Sequence, residues 1–255
     1  MPFAFRLITR NNLSLHGVYV ILRCRIEGGH HTEAAARTHS MQAYKKEFIA
    51  LCLELDVLRF GEFRLKSGRV SPYFFDAGLL NTGYAAAKLG RHYAAAIASA
   101  DLKFDMLFGP AYKGIPLVTL AAASLAEHQD IDVPFAFNRK EAKAHGEGGN
   151  IVGAALAGRV LIVDDVITAG TAVREAYQVI SAAGAQVVGL VILLDRQERG
   201  QNSLSTVQEL KQALGIPVIN IITLADLITT LEESNKYDDF LEPILNYRRK
   251  YGVIV

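Results

Sequence analysis

Two acids, Asp164 and Asp165, close the apolar run Val160-Leu161-Ile162-Val163 and lead into the small, hydroxyl-bearing string Val166-Ile167-Thr168-Ala169-Gly170-Thr171-Ala172. A buried strand that ends in carboxylates and turns into a helix delivers those carboxylates to the mouth of an open α/β sheet, where ligand crevices form. Small side chains, hydroxyls and backbone N–H groups at a helix start favour an anion, because the helix dipole and the unsatisfied amides both attract negative charge. Carboxylates repel phosphate, so a ligand gripped by both halves must carry hydroxyl donors or cationic character beside its phosphate. A ribose 5-phosphate meets that demand. The plainer reading, a helix cap with two solvated acids, accounts for a single Asp but not for the whole string.

A second string of this kind is Leu107-Phe108-Gly109-Pro110-Ala111-Tyr112-Lys113-Gly114-Ile115-Pro116, again at a strand end and leading into a helix. Gly109 and Gly114 let backbone amides face oxygen atoms, and Lys113 supplies a point charge suited to a diphosphate. The Gly109 to Gly114 spacing is that of a P-loop, but Ile115-Pro116 stands where that motif needs Lys-Ser/Thr, and no Gly-x-Gly-x-x-Gly follows a strand. Alone the string reads equally as a tight turn; beside the acid-and-hydroxyl string, a pyrophosphate loop is the better reading. The third string, Asn138-Arg139-Lys140-Glu141-Ala142-Lys143-Ala144-His145-Gly146-Glu147-Gly148-Gly149-Asn150, is polar throughout with glycines near its end, which predicts a mobile loop. Arg139, Lys140, Lys143 and His145 closed over a departing pyrophosphate would neutralise developing charge and exclude water; taken alone, such a loop is simply solvated.

These strings need strands that end side by side. Tyr44, Phe48, Leu51, Cys52 and Leu55 stand at helical spacing within Tyr44 to Val57. Phe60 to Asp76 mixes aromatics with Gly61, Gly68 and Pro72, which predicts short antiparallel strands or a hairpin. Helices are predicted over Tyr84–Ala100, Leu117–His128, Ala172–Ala183, Leu224–Leu231 and Phe240–Tyr247, and strands over Phe104–Phe108, Pro134–Phe137, Arg159–Val163, Val187–Leu194 and Pro217–Ile222. Nearly continuous apolar strands alternating with helices predict an α/β fold, a parallel sheet covered on both faces. One domain over 41–255 is expected, with a small N-terminal subdomain at about 60–80, a core at about 84–230 and closing helices at about 224–250.

The 255 residues carry 27 Lys+Arg against 26 Asp+Glu, a formal charge of +1, which argues against a protein that coats nucleic acid or anionic lipid with its whole surface. Two cysteines, Cys24 and Cys52, exclude a disulfide framework and fit a reducing, cytoplasmic setting. No apolar run approaches the roughly 20 residues that span a bilayer. Residues 1–40 differ from the rest: five Arg, no Lys, Glu27 and Glu33 as the only acids, and His16, His30, His31 and His39. An organelle transit peptide and translated upstream sequence both fit this composition; we expect the second, with Met41 as the working start.

The Val160–Ala172 string resembles the phosphoribosyl pyrophosphate (PRPP) signature of the type I phosphoribosyltransferases. Lys66-Ser67-Gly68-Arg69, Ser71-Pro72-Tyr73-Phe74-Phe75, the Asn138–Gly149 loop, that signature and Asp195-Arg196 stand in the order found in the orotate-using members of the family, and the resemblance runs from Met41 to Val253. It implies a type I phosphoribosyltransferase fold, a mostly parallel sheet flanked by helices with a small N-terminal hood. It further implies transfer from PRPP to orotate in pyrimidine (UMP) synthesis, giving orotidine 5′-monophosphate and pyrophosphate, with Mg²⁺ carried chiefly by PRPP and no dedicated protein metal ligands. Asp164 and Asp165 would hold the ribose hydroxyls, Thr168 to Thr171 the 5-phosphate within a PRPP-binding stretch from Val166 to Ala172, and Tyr112 and Lys113 the pyrophosphate. Lys66, Phe74, Phe75, Thr168 and Arg196 would surround orotate, with Lys66 also on PRPP. Arg139, Lys140, Lys143 and His145 would act on PRPP across a homodimer interface, and Ala144 stands where the family pattern leads one to expect an acid. Two other classes share the signature. A PRPP-sensing transcription regulator would need a DNA-reading module, which is not evident, and a purine-base transferase would have little use for Arg196 beside a neutral base.

Overall fold

The computed structural model describes residues 41–143, 149–200 and 202–253. Within them the apolar strands lie side by side in the order β5-β4-β3-β6-β7-β8: β3 is Met106–Gly109, β4 Phe135–Lys143, β5 Gly149–Gly153, β6 Arg159–Val163, β7 Gln186–Asp195 and β8 Val218–Thr223. All neighbours run parallel except β5, which is antiparallel to β4. The strands alternate between two apolar faces, as the two-residue period of a strand requires. Leu107, Leu161, Val163, Val191 and Leu193 belong to one core; Met106, Phe108, Val160, Ile162, Leu190 and Ile192 belong to the other.

Helices cover each face. Against the first pack α1 (Ala43–Glu54), α2 (Gly83–Ser99), α3 (Gly114–Gln129), α6 (Leu224–Glu232) and α7 (Asp238–Tyr251), through residues such as Phe48, Tyr93, Val118, Leu227 and Ile244. Against the second pack α4 (Thr171–Ala182) and α5 (Thr206–Leu214), through Val173, Ala176, Ile180, Val207 and Leu210. A separate hairpin, β1 (Leu58–Arg64) with β2 (Val70–Phe75), supplies the small antiparallel hood. The expected α/β class, with helices on both faces of a mostly parallel sheet, is the class observed. Among the described residues no helix is long and apolar enough to cross a membrane.

Three features depart from the sequence reading. Helix α3 begins at Gly114, ahead of Leu117, because Pro116 falls in its first turn, where a missing N–H costs nothing. Helix α5 lies in a stretch where the sequence reading places no element; Ser205 and Gln208 form its capping box and Gly215 closes its end with φ 67°. The basic segment is not a loop from Asn138 onward: β4 continues through Lys143 and β5 begins at Gly149, so the two form an antiparallel arm. An edge arm can be polar on both faces, and without apolar alternation its residues carry no strand signal. Ala144 and His145 lie outside the described residues.

Candidate active site

The chain leaves β3 toward β4 on one side, while β6 continues to β7 and β8 on the other. The sheet therefore reverses winding between β3 and β6, and in an open α/β sheet a crevice opens at that point beyond the carboxyl ends of the strands. Gly109 ends β3 and Val163 ends β6, so both strings singled out in the sequence meet there. Neither α3 nor α4 carries a side-chain cap on its first turn, whereas α5 and α6 are sealed by capping boxes, Ser205 with Gln208 and Thr223 with Asp226. Only the α4 start keeps unclaimed amides at the crevice; at α3 the Gly114 and Ile115 N–H groups go to Pro110 O and Tyr112 O and Pro116 has none, so that side offers the Lys113 ammonium instead.

Asp164 and Asp165 sit at its floor. The Asp164 N–H bonds to Val191 O at 3.0 Å and Leu193 N–H to Asp165 O at 2.8 Å, which fixes the pair to β7. From below, Tyr93 of α2 donates its hydroxyl to the Asp164 carbonyl at 2.8 Å, a support nothing in the sequence announced. Asp165 is buried, and Lys113 reaches across to it with Nζ 2.5 Å from Oδ2. That bond holds the lysine's pKa above its ordinary value. Asp164 is pushed up to about 6, first by burial and then by Asp165, against the opposing bond from the Asp165 N–H and the charge of Lys113.

Burying a charge-prone carboxyl costs stability with a defined sign. The folded chain holds the Asp164 proton more tightly than the unfolded chain, whose carboxyl titrates near 3.8, so this group's contribution is most favourable below about 4 and is lost as pH rises through about 6. An asparagine side chain at this position imitates the neutral acid and can still accept from the Asp165 N–H, a bond made at 2.9 Å. Asp164→Asn is therefore expected to raise the melting temperature of the free protein at pH 8 by about 2–4 °C, the equivalent of about 1 kcal/mol after allowing for partial exposure. The gain should shrink as pH falls toward 4. A pH-independent change in a calorimetric scan would contradict the burial of this charge.

The 166–172 string forms the opposite wall. Gly170 caps α4 in the left-handed region, φ 72°, and a Cβ there would press on Leu210 of α5 at 3.2 Å. Thr206, at the start of α5, donates its hydroxyl to Thr168 O at 2.9 Å. The helix missed in the sequence is thus the backing that holds this loop in shape. Thr168, Ala169 and Thr171 are exposed or half-buried, as are Val166, Ile167 and Ala172, so the loop keeps a face open to the crevice.

On the β3 side the glycines do a different job from the one expected. A Cβ on Gly109 would collide with the Gly114 carbonyl, and one on Gly114 would stand 2.7 Å from Pro110 Cδ, so glycine at both positions lets the loop fold onto itself. The Gly114 amide is spent on Pro110 O at 2.9 Å and does not face a ligand. Ala111 N–H bonds to Asn138 Oδ1 at 2.8 Å, tying this loop to the base of the basic arm. Tyr112 is exposed, with Lys140 Nζ 5.7 Å above its ring; Arg139 is half-buried on β4.

The hood contributes Lys66 at the exposed hairpin turn and Phe74 and Phe75 on β2. The two rings leave opposite faces: Phe74 stacks on Phe63 at 5.5 Å, Phe75 packs toward Phe48 at 6.5 Å, so one flat ligand cannot lie on both. Arg196, at the end of β7, was expected to await an anion. It is already engaged: Nε donates to Glu198 Oε1 at 2.8 Å and Nη2 to Ser71 Oγ at 3.1 Å. Among the described residues no group of three or more metal-ligating side chains forms.

Comparison with known proteins gives a consistent result. Residues 78–221 match the phosphoribosyl transferase domain family. The chain is 58% identical over 213 residues to the orotate phosphoribosyltransferase of Vibrio parahaemolyticus, a match that spans 84% of this chain and all of that protein. It is similar to the crystal structure of orotate phosphoribosyltransferase from Francisella tularensis, with 43% identity and a TM-score of 0.74 over 81% of this chain and 99% of that one. A more distant likeness in fold, with 24% identity and a TM-score of 0.54 over 72% of this chain and 98% of that one, is to Mycobacterium tuberculosis orotate phosphoribosyltransferase solved in complex with PRPP.

Proposed function

The chain belongs to the orotate phosphoribosyltransferase family, and we propose that the crevice between β3 and β6 binds PRPP with its ribose phosphate on the 166–172 loop and its pyrophosphate toward Lys113. The family's activity is phosphoribosyl transfer in pyrimidine biosynthesis. One observation supports the assignment of the site: the open amides at the start of α4 and the Lys113 ammonium at the start of α3 stand on either side of the paired acids Asp164 and Asp165. Anion-seeking amides on one side and an ammonium on the other, separated by hydroxyl-accepting carboxylates, match a sugar phosphorylated at both ends.

In this reading Asp164 and Asp165 accept from the ribose 2- and 3-hydroxyls. Lys113 occupies Asp165 in the free protein; when sugar hydroxyls take over that carboxylate, the lysine is released to the pyrophosphate. Tyr112 lies beside it. Lys66, Thr168 and the Phe74-Phe75 segment bound the orotate site from hood and loop, with the Phe75 ring turned to the core, and Arg196 answers the substrate's negative charge. The bond from ribose C1 to the pyrophosphate oxygen loosens early, the orotate nitrogen closes on a carbon with cationic character, and no protein nucleophile is needed. Arg139, Lys140, Lys143 and His145, brought by the arm of a second subunit, stabilise the departing anion and exclude water. Two adjacent carboxylates and, among the described residues, no three-residue ligand set suit a hard cation that arrives on the substrate's phosphates, as Mg²⁺ does. Bound that way, it supplies further neutralisation of the leaving pyrophosphate.

The working unit is a cytoplasmic homodimer of residues 41–255, acting on two small molecules without nucleic acid or membrane. Purified protein mixed with PRPP, Mg²⁺ and orotate is expected to consume the orotate absorbance, and a chain beginning at Met41 to do so at the same rate. Hypoxanthine in place of orotate should give no turnover. Turnover of the purine alone would overturn the substrate assignment, and a dead 41–255 chain would overturn the domain assignment.

A further inference from the structure

Between hood, sheet and C-terminal helix, Arg196 is held in a charge cluster whose other members the proposed reaction has not used. Glu198, its side chain 11% exposed, receives Arg196 on Oε1, with Nε at 2.8 Å and Nη2 at 2.6 Å. Tyr73 donates its hydroxyl to the same oxygen at 3.1 Å, and Tyr247 of α7 donates to Oε2 at 3.0 Å. Arg69 stands 3.8 Å from Oε2 while its own N–H groups bond to the Arg199 and Gly200 carbonyls. The Arg196 guanidinium lies 4.3 Å over the ring of fully buried Tyr73, and its Nη2 reaches Ser71. Every group on Glu198 therefore bears on how the Arg196 plane is held.

The backbone here is set with equal care. Gln197, between the two partners, takes φ 53°, a region most residues avoid, and is kept there by three bonds: its N–H to Asp195 Oδ1 at 2.8 Å, its Oε1 from Ala225 N–H at 2.9 Å and its carbonyl from Val253 N–H at 2.9 Å. Two arginines against one carboxylate leave the cluster with one uncompensated positive charge, which a single substrate carboxylate would balance. The bonds from Arg196 to Glu198 and Ser71 use Nε and Nη2 and leave Nη1 out.

We propose that Glu198 is a positioning residue for orotate: it clamps one edge of Arg196 against Tyr73 so that the Nη1 end meets the substrate anion, and through Tyr247 it makes that geometry depend on helix α7. This rests on the reading of Arg196 as the residue that answers orotate. A glutamate that merely neutralised Arg196 would weaken the attraction for an anion, so its removal would tighten orotate. A glutamate that positions Arg196 has the opposite sign, because a freed guanidinium must be ordered again at each binding event.

Steady-state kinetics on the full chain separates these cases. Glu198→Gln, which keeps shape and loses charge, is expected to raise KM for orotate about tenfold and to leave KM for PRPP within about twofold. Tyr247→Phe, which keeps every charge and removes the hydroxyl that bonds Glu198 and also touches Arg196, should raise KM for orotate about threefold and stands in should the first variant fold poorly. In an Arg196→Ala background the Glu198→Gln effect should vanish. An orotate KM that is unchanged or lowered in these variants, or a Glu198→Gln effect that persists without Arg196, overturns the proposal. If Arg196→Ala itself leaves the orotate KM unchanged, the reading of Arg196 fails and the proposal falls with it; a large Arg196→Ala effect with none from Glu198→Gln defeats the proposal alone.

Discussion

Exchanging Asp164 and Asp165 together for asparagine is expected to lower kcat/KM for PRPP by at least about a hundredfold while leaving the protein folded. Hydrogen bonds to charged groups contribute about 1.5–3 kcal/mol each, so losing two such bonds to ribose hydroxyls corresponds to about 3–6 kcal/mol of binding and transition-state stabilisation. The same exchange removes the negative charge that tolerates a cationic sugar. The fold should survive for reasons visible at the site. Asparagine at 164 relieves a carboxyl whose pKa burial has raised to about 6. Asparagine at 165 forfeits the Lys113 ion pair, whose lysine is 74% exposed, and pairs so open to solvent are worth at most about 1 kcal/mol. Circular dichroism and melting curves alongside the kinetics separate loss of chemistry from loss of structure. Near-normal turnover in a folded double variant would remove the acids from the reaction.

The second large effect is expected at Lys143. Lys143→Ala should lower kcat at least about a hundredfold, the range associated with removing one preorganised electrostatic donor from a developing charge. Lys143 ends β4 and is paired with Gly149 across the arm, which places it at the outer end of a two-stranded projection and not within the sheet proper. Tyr112, Lys113 and the site they adjoin belong to the β3 loop, which Asn138 ties to the arm's base. If the arm serves the neighbouring subunit, mixing Lys143→Ala chains with the double acid variant restores activity: half the random dimers carry one site with intact acids and an intact arm, about a quarter of wild-type activity. No recovery on mixing would place the arm in its own subunit's site. An unchanged kcat in Lys143→Ala would take the lysine out of the chemistry altogether.

The parts of this site that sequence exposes are those where one chain segment holds both the structural and the chemical signal. Arg159–Val163 is a buried strand by composition, and two acids after it are conspicuous because charge rarely follows such a run without a purpose. The β3 string was legible as a turn near a phosphate, but its glycines turned out to serve a self-contact that only three-dimensional proximity reveals. Glu198 and Tyr93 were invisible for a related reason. Glu198 is held by Arg69, Tyr73 and Tyr247, all from other elements, and Tyr93 supports the Asp164 carbonyl from α2. Helix α5 was legible and overlooked: Ser205 and Gln208 at capping-box spacing, Val207 and Leu210 on one face and a terminal Gly215 were all present. The arm could not be read as strand, because edge pairing between polar residues leaves no apolar period.

Isothermal titration of magnesium PRPP into the free protein tests the central claim most directly, since it asks only whether the crevice between β3 and β6 holds a doubly phosphorylated ribose through its two acids. Saturable uptake of one PRPP per chain, abolished when Asp164 and Asp165 are both replaced by asparagine and preserved when Lys143 is replaced by alanine, is the result this account requires. Uptake that survives the loss of both acids, or its absence from the unaltered protein, would contradict it.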